Sequence, residues 1–114
     1  MNEIRAEIWV QALLRRAQSG GAMGMVLRRG DRDAGAVWVK LMRLDGTCEL
    51  FVPVRDGTGE KIWTRPLGIV PEAEADDRAR KAIARDPDLW LVEIEDRQGR
   101  HFLTEPVEEP GARA

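Results

Sequence analysis

The chain of 114 residues carries one histidine (His101), one cysteine (Cys48) and one serine (Ser19), and no tyrosine. Nucleophilic catalysis of the serine or thiol kind would have to run through Ser19 with His101, or Cys48 with His101. A structural zinc site takes about four Cys or His ligands, more than this sequence holds. Carboxylates are denser. Asp86, Asp88, Glu93, Glu95 and Asp96 could offer oxygen to Mg²⁺ or Ca²⁺, but their spacing matches no calcium loop. Glu93 and Glu95 stand two apart, as on the wet face of one strand. His101 could serve as a general base near neutral pH, with Asp96 beside it. The plainer reading pairs the same two residues across a hairpin as a structural contact. No cofactor or metal site is signalled.

Arginine is the other conspicuous side chain, with 15 Arg against 3 Lys. Guanidinium makes bidentate contacts with phosphate and carboxylate, yet a GC-rich genome produces the same excess. Residues 15–43 hold seven Arg or Lys against two Asp, so the net charge of -2 hides a local excess of +5. The stretch from Arg28 and Arg29 through Gly30, Asp31, Arg32 and Asp33 to Gly35 is the most function-like. Glycine-flanked loops let backbone N–H groups approach an anion, and adjacent arginines clamp it. Arg15 and Arg16 would extend that surface, and Trp38 could add an aromatic platform beside Lys40 and Phe51. The competing reading is a solvated loop in which Asp31 and Asp33 cap turns and pair with the arginines. There is no phosphate-loop lysine and no glycine triplet before a helix.

These side chains need elements to hold them. Ile4, Ile8, Leu13 and Ala17 recur at helical spacing, so residues 3–18 read as a helix, closed by Gly20 and Gly21. Residues 23–29 read as a strand. Two apolar runs, 35–43 and 47–54, flank Asp45-Gly46, a pair suited to a two-residue hairpin turn. That register sets Val37 against Val54, Val39 against Val52 and Leu41 against Leu50. Cys48 then lies beside Leu50 as a small buried hydrophobe. A strand at 60–65 follows, with either Ile62 or Trp63 pointing inward. Residues 72–85 form a second helix, acidic first and basic last, as the helix dipole favours. A final hairpin joins 89–95 to 101–105 through Gln98-Gly99. Trp9, Trp38, Trp63 and Trp90 fall one to each major element, as core anchors do.

Three segments carry a family resemblance: Ala6-Glu7-Ile8-Trp9-Val10 on to Leu13-Leu14-Arg15-Arg16; Arg28-Arg29-Gly30-Asp31 on through Asp33-Ala34-Gly35-Ala36-Val37 to Arg43-Leu44-Asp45-Gly46-Thr47; and Asp86-Pro87-Asp88-Leu89-Trp90 through Glu93-Ile94-Glu95-Asp96 to Gly99-Arg100-His101-Phe102-Leu103. In that order they resemble an alphaproteobacterial family of unknown function, domain of unknown function 1491. The resemblance implies a cytoplasmic, single-domain protein from a high-GC bacterium, which favours composition as the source of the arginines. It supplies no catalytic residues.

The expected architecture is α+β: an N-terminal helix, an antiparallel meander of three or four strands, a second helix and a C-terminal β-hairpin. Residues 1–105 make one domain and 106–114 a disordered tail. With no disulfide within one chain and no span near the ~20 apolar residues a bilayer needs, a cytoplasmic setting without membrane contact is expected. The function expected is a non-enzymatic interaction or regulatory domain that meets a protein partner or itself through the 28–33 loop. The alternatives are an RNA- or DNA-binding module on the 15–43 basic patch, and a small enzyme with an arginine anion clamp and a His101/Asp96 base.

Overall fold

The computed structural model describes residues 4–110. Helix α1 (Ala6–Ser19) leads into strand β1 (Met23–Arg28), followed by β2 (Val37–Met42), β3 (Thr47–Arg55), β4 (Lys61–Thr64) and the two-residue β5 (Val70–Pro71). Helix α2 (Glu72–Arg85) and strand β6 (Trp90–Glu95) complete the chain of elements. The sheet runs β1-β6-β2-β3-β4, with β5 beside β3. The α+β class and both helices are as the sequence predicts.

Strand order departs from the expected meander. β2, β3 and β4 are antiparallel neighbours, but β6 inserts between β1 and β2, antiparallel to the first and parallel to the second. A parallel pair needs a long crossover, and α2 lies within the connection that supplies it. Both sides of β6 are therefore occupied, which leaves no place for the expected C-terminal hairpin. Residues 101–105 form no strand. Asp96 turns the chain instead, with the Gly99 N–H donating to its carbonyl at 3.0 Å and the Arg100 N–H to its carboxylate at 2.7 Å. The chain then crosses to the other side of the sheet. There the Trp63 N–H donates to the Pro106 carbonyl at 2.9 Å and the Glu108 N–H to the Trp63 carbonyl at 2.8 Å. The stretch expected as a tail thus docks on β4 as far as Glu108; residues 111–114 lie outside the described ones.

The β2–β3 register is also one residue away from expectation. Val39 faces Phe51, Lys40 faces Leu50, Leu41 faces Glu49 and Met42 faces Cys48. The loop has three residues, Leu44, Asp45 and Gly46, with Leu44 at φ 65° and Gly46 at φ 88°. Asp45 accepts from both the Thr47 N–H (2.9 Å) and its hydroxyl (2.5 Å). The physical reason is that both faces of this sheet are covered. Alternation fixes register only where one face is wet; with two dry faces, a slip by one exchanges one apolar set for another. Trp38 and Lys40 consequently lie on the opposite face from Phe51, and the aromatic platform expected of them does not exist.

One face packs under α1, where Val10, Leu13 and Ala17 meet Val39, Leu41, Phe51, Trp63, Trp90 and Val92. Trp63, not Ile62, is the inward residue of β4, fully buried. The other face carries Cys48 and Leu50 against Ala75 of α2, with Trp38, Met42, Leu67 and Val70 around them. Since α2 buries only alanines, its docking depends on a polar contact as well. Lys40, 3% exposed, donates to Glu72 at 2.7 Å and Asp76 at 2.6 Å in the first turns of α2. Burial alone would lower its pKa, but the bonds to Asp76 and Glu72 outweigh burial and hold it above the usual lysine value.

Candidate functional site

The arginine-rich segment, residues 28–35, does not turn a hairpin: it passes from β1 to β2 around the start of β6. Gly30 and Gly35 are required by that path. A Cβ on Gly30 would lie 2.1 Å from the Asp88 carbonyl oxygen, and one on Gly35 2.3 Å from the same atom. The Asp31 N–H donates to that carbonyl at 2.9 Å, and the Trp90 indole donates to the Asp31 carbonyl at 2.7 Å. Asp31 folds the loop by accepting the N–H groups of Asp33 (3.1 Å) and Ala34 (2.8 Å).

The loop's carbonyls then cap α1. The Ala6 N–H donates to the Asp33 carbonyl at 3.2 Å and the Glu7 N–H to the Arg32 carbonyl at 2.9 Å. These satisfy orphan donors of a helix start that has no side-chain cap. Arg29 and Arg32 both bind the Glu7 carboxylate, and Arg5 sits 3.8 Å from Asp33. The Arg29 guanidinium also lies 5.2 Å from the centre of the Trp90 ring. The glycine-bracketed loop is therefore a clasp on Trp90 and on α1, its backbone bound to the chain while Arg29 and Arg32, 61% and 64% exposed, reach Glu7 from the surface.

The other arginines stand elsewhere. Arg16 donates through Nε to the Phe102 carbonyl at 3.0 Å. It lies nine residues from Glu7, roughly 13 Å along the helix. Arg28 donates to the Pro87 carbonyl at 2.8 Å, and Arg15 is exposed on α1. Arg15 and Arg16 do not join Arg29 and Arg32 in one basic cluster.

His101 and Asp96 are not paired. Asp96 binds the Arg100 side chain through both oxygens at 2.9 Å, and that guanidinium holds its carboxyl below the usual range. His101 stacks edge-on against Phe51 at 5.3 Å, and its Nδ1 accepts the Leu103 N–H at 2.9 Å. Burial pushes the His101 pKa down, and the nearby Arg65 cation adds to it. The unfolded chain therefore binds a proton near pH 6.5 that the folded chain refuses, so stability falls as pH drops through that value. We expect His101→Gln to flatten this part of the stability–pH curve, measured by urea unfolding between about pH 7.5 and 5. An unchanged curve would show that His101 is not its source.

Two further polar assemblies lie on the α1 face. Glu49, fully buried, accepts from Arg65 Nε and Nη2, both at 2.6 Å. Glu105 accepts the indole N–H groups of Trp9 (3.0 Å) and Trp63 (2.9 Å), while Lys61 lies over both rings. Burial would raise the Glu105 pKa, but the two indole bonds outweigh it and hold the carboxylate ionised. A groove of about 750 Å³ opens beside it, lined by Trp9, Asp33, Gly35, Val54 and Lys61 among others. Neither Arg29 nor His101 lines that groove, so anion clamp and base do not share it.

The exposed feature that sequence reasoning missed is β1. It is an edge strand, and its outer side is unpaired among the described residues. Met23 is 69% exposed, Met25 51%, Val26 39% and Leu27 43%. Edge strands are ordinarily blunted by lysine, proline or covering chain. β4, at the other edge, is covered by residues 106–108, whereas β1 has a register irregularity between Val26 and Arg28 and no charge from Met23 to Leu27. That uncharged run without alternation was the available signal.

Two helices on the two faces of a six-stranded mixed sheet define a small α+β domain; among its described residues no helix is long and apolar enough to cross a membrane. Family comparison goes further: residues 4–104 match the family described as protein of unknown function DUF1491, and the chain belongs to it. A crystal structure of a DUF1491 family protein from Caulobacter crescentus CB15 is 51% identical, with TM-score 0.88 over 93% of this chain and all of the other. An NMR structure of a DUF1491 family protein from the same organism is 50% identical, with TM-score 0.85 over 96% of this chain and all of that one. The solution structure of protein Atu0922 from A. tumefaciens is 26% identical, with TM-score 0.80 over 96% of this chain and all of the other. No curated protein matches the chain.

Proposed function

We propose that this domain is a non-enzymatic interaction module, acting in the cytoplasm, and that its contact surface is the free edge of β1. The observation that carries the reading is a strand uncharged from Met23 to Leu27, with four exposed apolar side chains at an unpaired sheet edge. A partner strand added there gains main-chain hydrogen bonds from the edge and apolar contacts from alternate side chains. This moves the contact away from the 28–33 loop, whose backbone is bound to Trp90 and α1 and whose Arg29 and Arg32 already reach Glu7. The same internal pairing, together with the separation of Arg16 from Arg29, disfavours a nucleic-acid surface over residues 15–43.

The test is a photo-crosslinking residue placed at Met25 or, in a second strain, at Arg32. Protein adducts are expected from position 25 and not from position 32, and they should survive high salt because the contact is apolar. Adducts at Arg32 that salt abolishes, with none at Met25, would return the contact to the loop.

A further inference from the structure

We infer that protonation of His101 unlatches residues 101–104 from the α1 face, releasing Phe102 and Leu103 into solvent while the contacts on either side of them hold. A backbone N–H can only donate, so the 2.9 Å bond from Leu103 makes Nδ1 the acceptor and places the neutral ring's proton on Nε2. The imidazolium carries a proton on both nitrogens and would aim one of them at the Leu103 N–H. The bond therefore exists only in the neutral form. It also works against the backbone it closes. Phe102, between the two joined residues, sits at φ 63°, a left-handed conformation that a residue with a side chain keeps only where its surroundings enforce it. The His101 ring closes a turn around it as an Asp or Asn side chain does, and the Phe102 carbonyl is held by Arg16 Nε. The Phe102 ring seats on Gly20, where an added Cβ would run into it, and Leu103 is buried. Residues 101–104 form no strand, so no ladder shares the load of the latch.

A proton on this ring has no counter-ion waiting. The charged groups facing it are Arg65, which follows β4, and Glu49 of β3, and both Glu49 oxygens already accept from Arg65. β3 otherwise presents Phe51. On the Phe102 side stand two more cations, Arg16 of α1 and Arg100 over the Phe102 ring. The imidazolium gains most by leaving for water. The flanks do not follow it. Upstream, Arg100 binds both oxygens of Asp96; downstream, Glu105 holds two indoles and residues 106–108 pair with Trp63. Asp96 and Glu105 are both held below the usual carboxylate range, so these anchors keep their charge when His101 gains its own. The latch is closed above the ordinary histidine value of 6.5 and opens as pH falls below it. This goes beyond the loss of global stability expected above: one segment opens to take the proton before the whole fold gives way.

Amide hydrogen exchange of the full chain, resolved by NMR between about pH 7.5 and 5, tests this, with each rate referred to the unfolded-chain rate at the same pH. Protection of the Leu103 amide should fall by roughly tenfold for each pH unit below its midpoint, as one bound proton requires. The amides of Trp63 and Glu108, which tie residues 106–108 to β4, should keep their protection. In His101→Asn the side-chain oxygen stands near the place of Nδ1 and accepts without titrating, so Leu103 should stay protected across the whole range. Constant protection of Leu103 in the wild type overturns the latch, as does a His101→Asn chain that is pH-sensitive like the wild type. Leu103 exposed at every pH in that variant would show that ring packing, not the Nδ1 bond, holds the segment. Loss of protection at Leu103, Trp63 and Glu108 together would show the whole fold opening instead.

Discussion

Arg65→Met is expected to destabilise the fold by about 3–5 kcal/mol, the usual penalty for stranding one member of a buried ion pair, read as a lower urea midpoint. Glu49 is fully buried, and both its oxygens accept from the Arg65 guanidinium. Without Arg65 the carboxylate must stay charged in an apolar wall beside Phe51 or take up a proton. Either way the buried carboxylate loses both of the hydrogen bonds that offset its burial. The double variant Arg65→Met with Glu49→Met should recover most of the stability, since an apolar pair of similar volume replaces a buried ion pair at little net penalty. A single variant within 1 kcal/mol of the wild type would show that water reaches Glu49 freely.

Gly30→Ala is expected to be nearly as damaging, at about 3 kcal/mol. The added methyl would meet the Asp88 carbonyl oxygen at 2.1 Å and the Leu89 carbonyl carbon at 2.7 Å. Both are backbone atoms, so no rotamer change relieves the clash and the whole clasp must lift. That would release the Asp31–Asp88 hydrogen bond, the Trp90 indole bond and the two carbonyl caps on α1. The amides of Ala6 and Glu7 should therefore exchange faster with solvent than in the wild type. Gly57→Ala is the control, because a Cβ there meets nothing within 4 Å. Equal thermal midpoints for the two variants would refute the clasp.

What the sequence made legible follows from which interactions are local. The span 72–85 ordered its charges to suit its own dipole, and α2 appears there residue for residue. Trp63 and Trp90 bury as anchors with Trp9 partly buried against them, and Cys48 is a buried hydrophobe whose thiol burial pushes up to about 11. What stayed illegible depends on distant chain. The β2–β3 register was decided by a second dry face and by Arg65, sixteen residues from Glu49, which lets a carboxylate lie inward. The place of β6 depends on β1, far away in sequence. The 28–35 loop suggested a ligand because its glycines and arginines do suit an anion; the group they meet is part of the chain, the Asp88–Trp90 backbone and Glu7. Only the alternative of turn-capping aspartates anticipated that. The exposed edge escaped notice because an apolar run reads as buried until its neighbours are known.

The central position of β6 has a consequence for how the molecule is made. β1 and β2 are not paired with each other; the strand that joins them is the last of the sheet to be synthesised. Until residue 95 has left the ribosome, α1 with β1 and the β2–β3–β4 ribbon are two separate fragments, β1 without a strand partner and β2 with one side unpaired. Such late, long-range pairing slows folding and leaves edges exposed meanwhile. The domain should therefore fold after translation, in one step, with arrested or truncated chains recognisable to chaperones and proteases by the gap that β6 would fill.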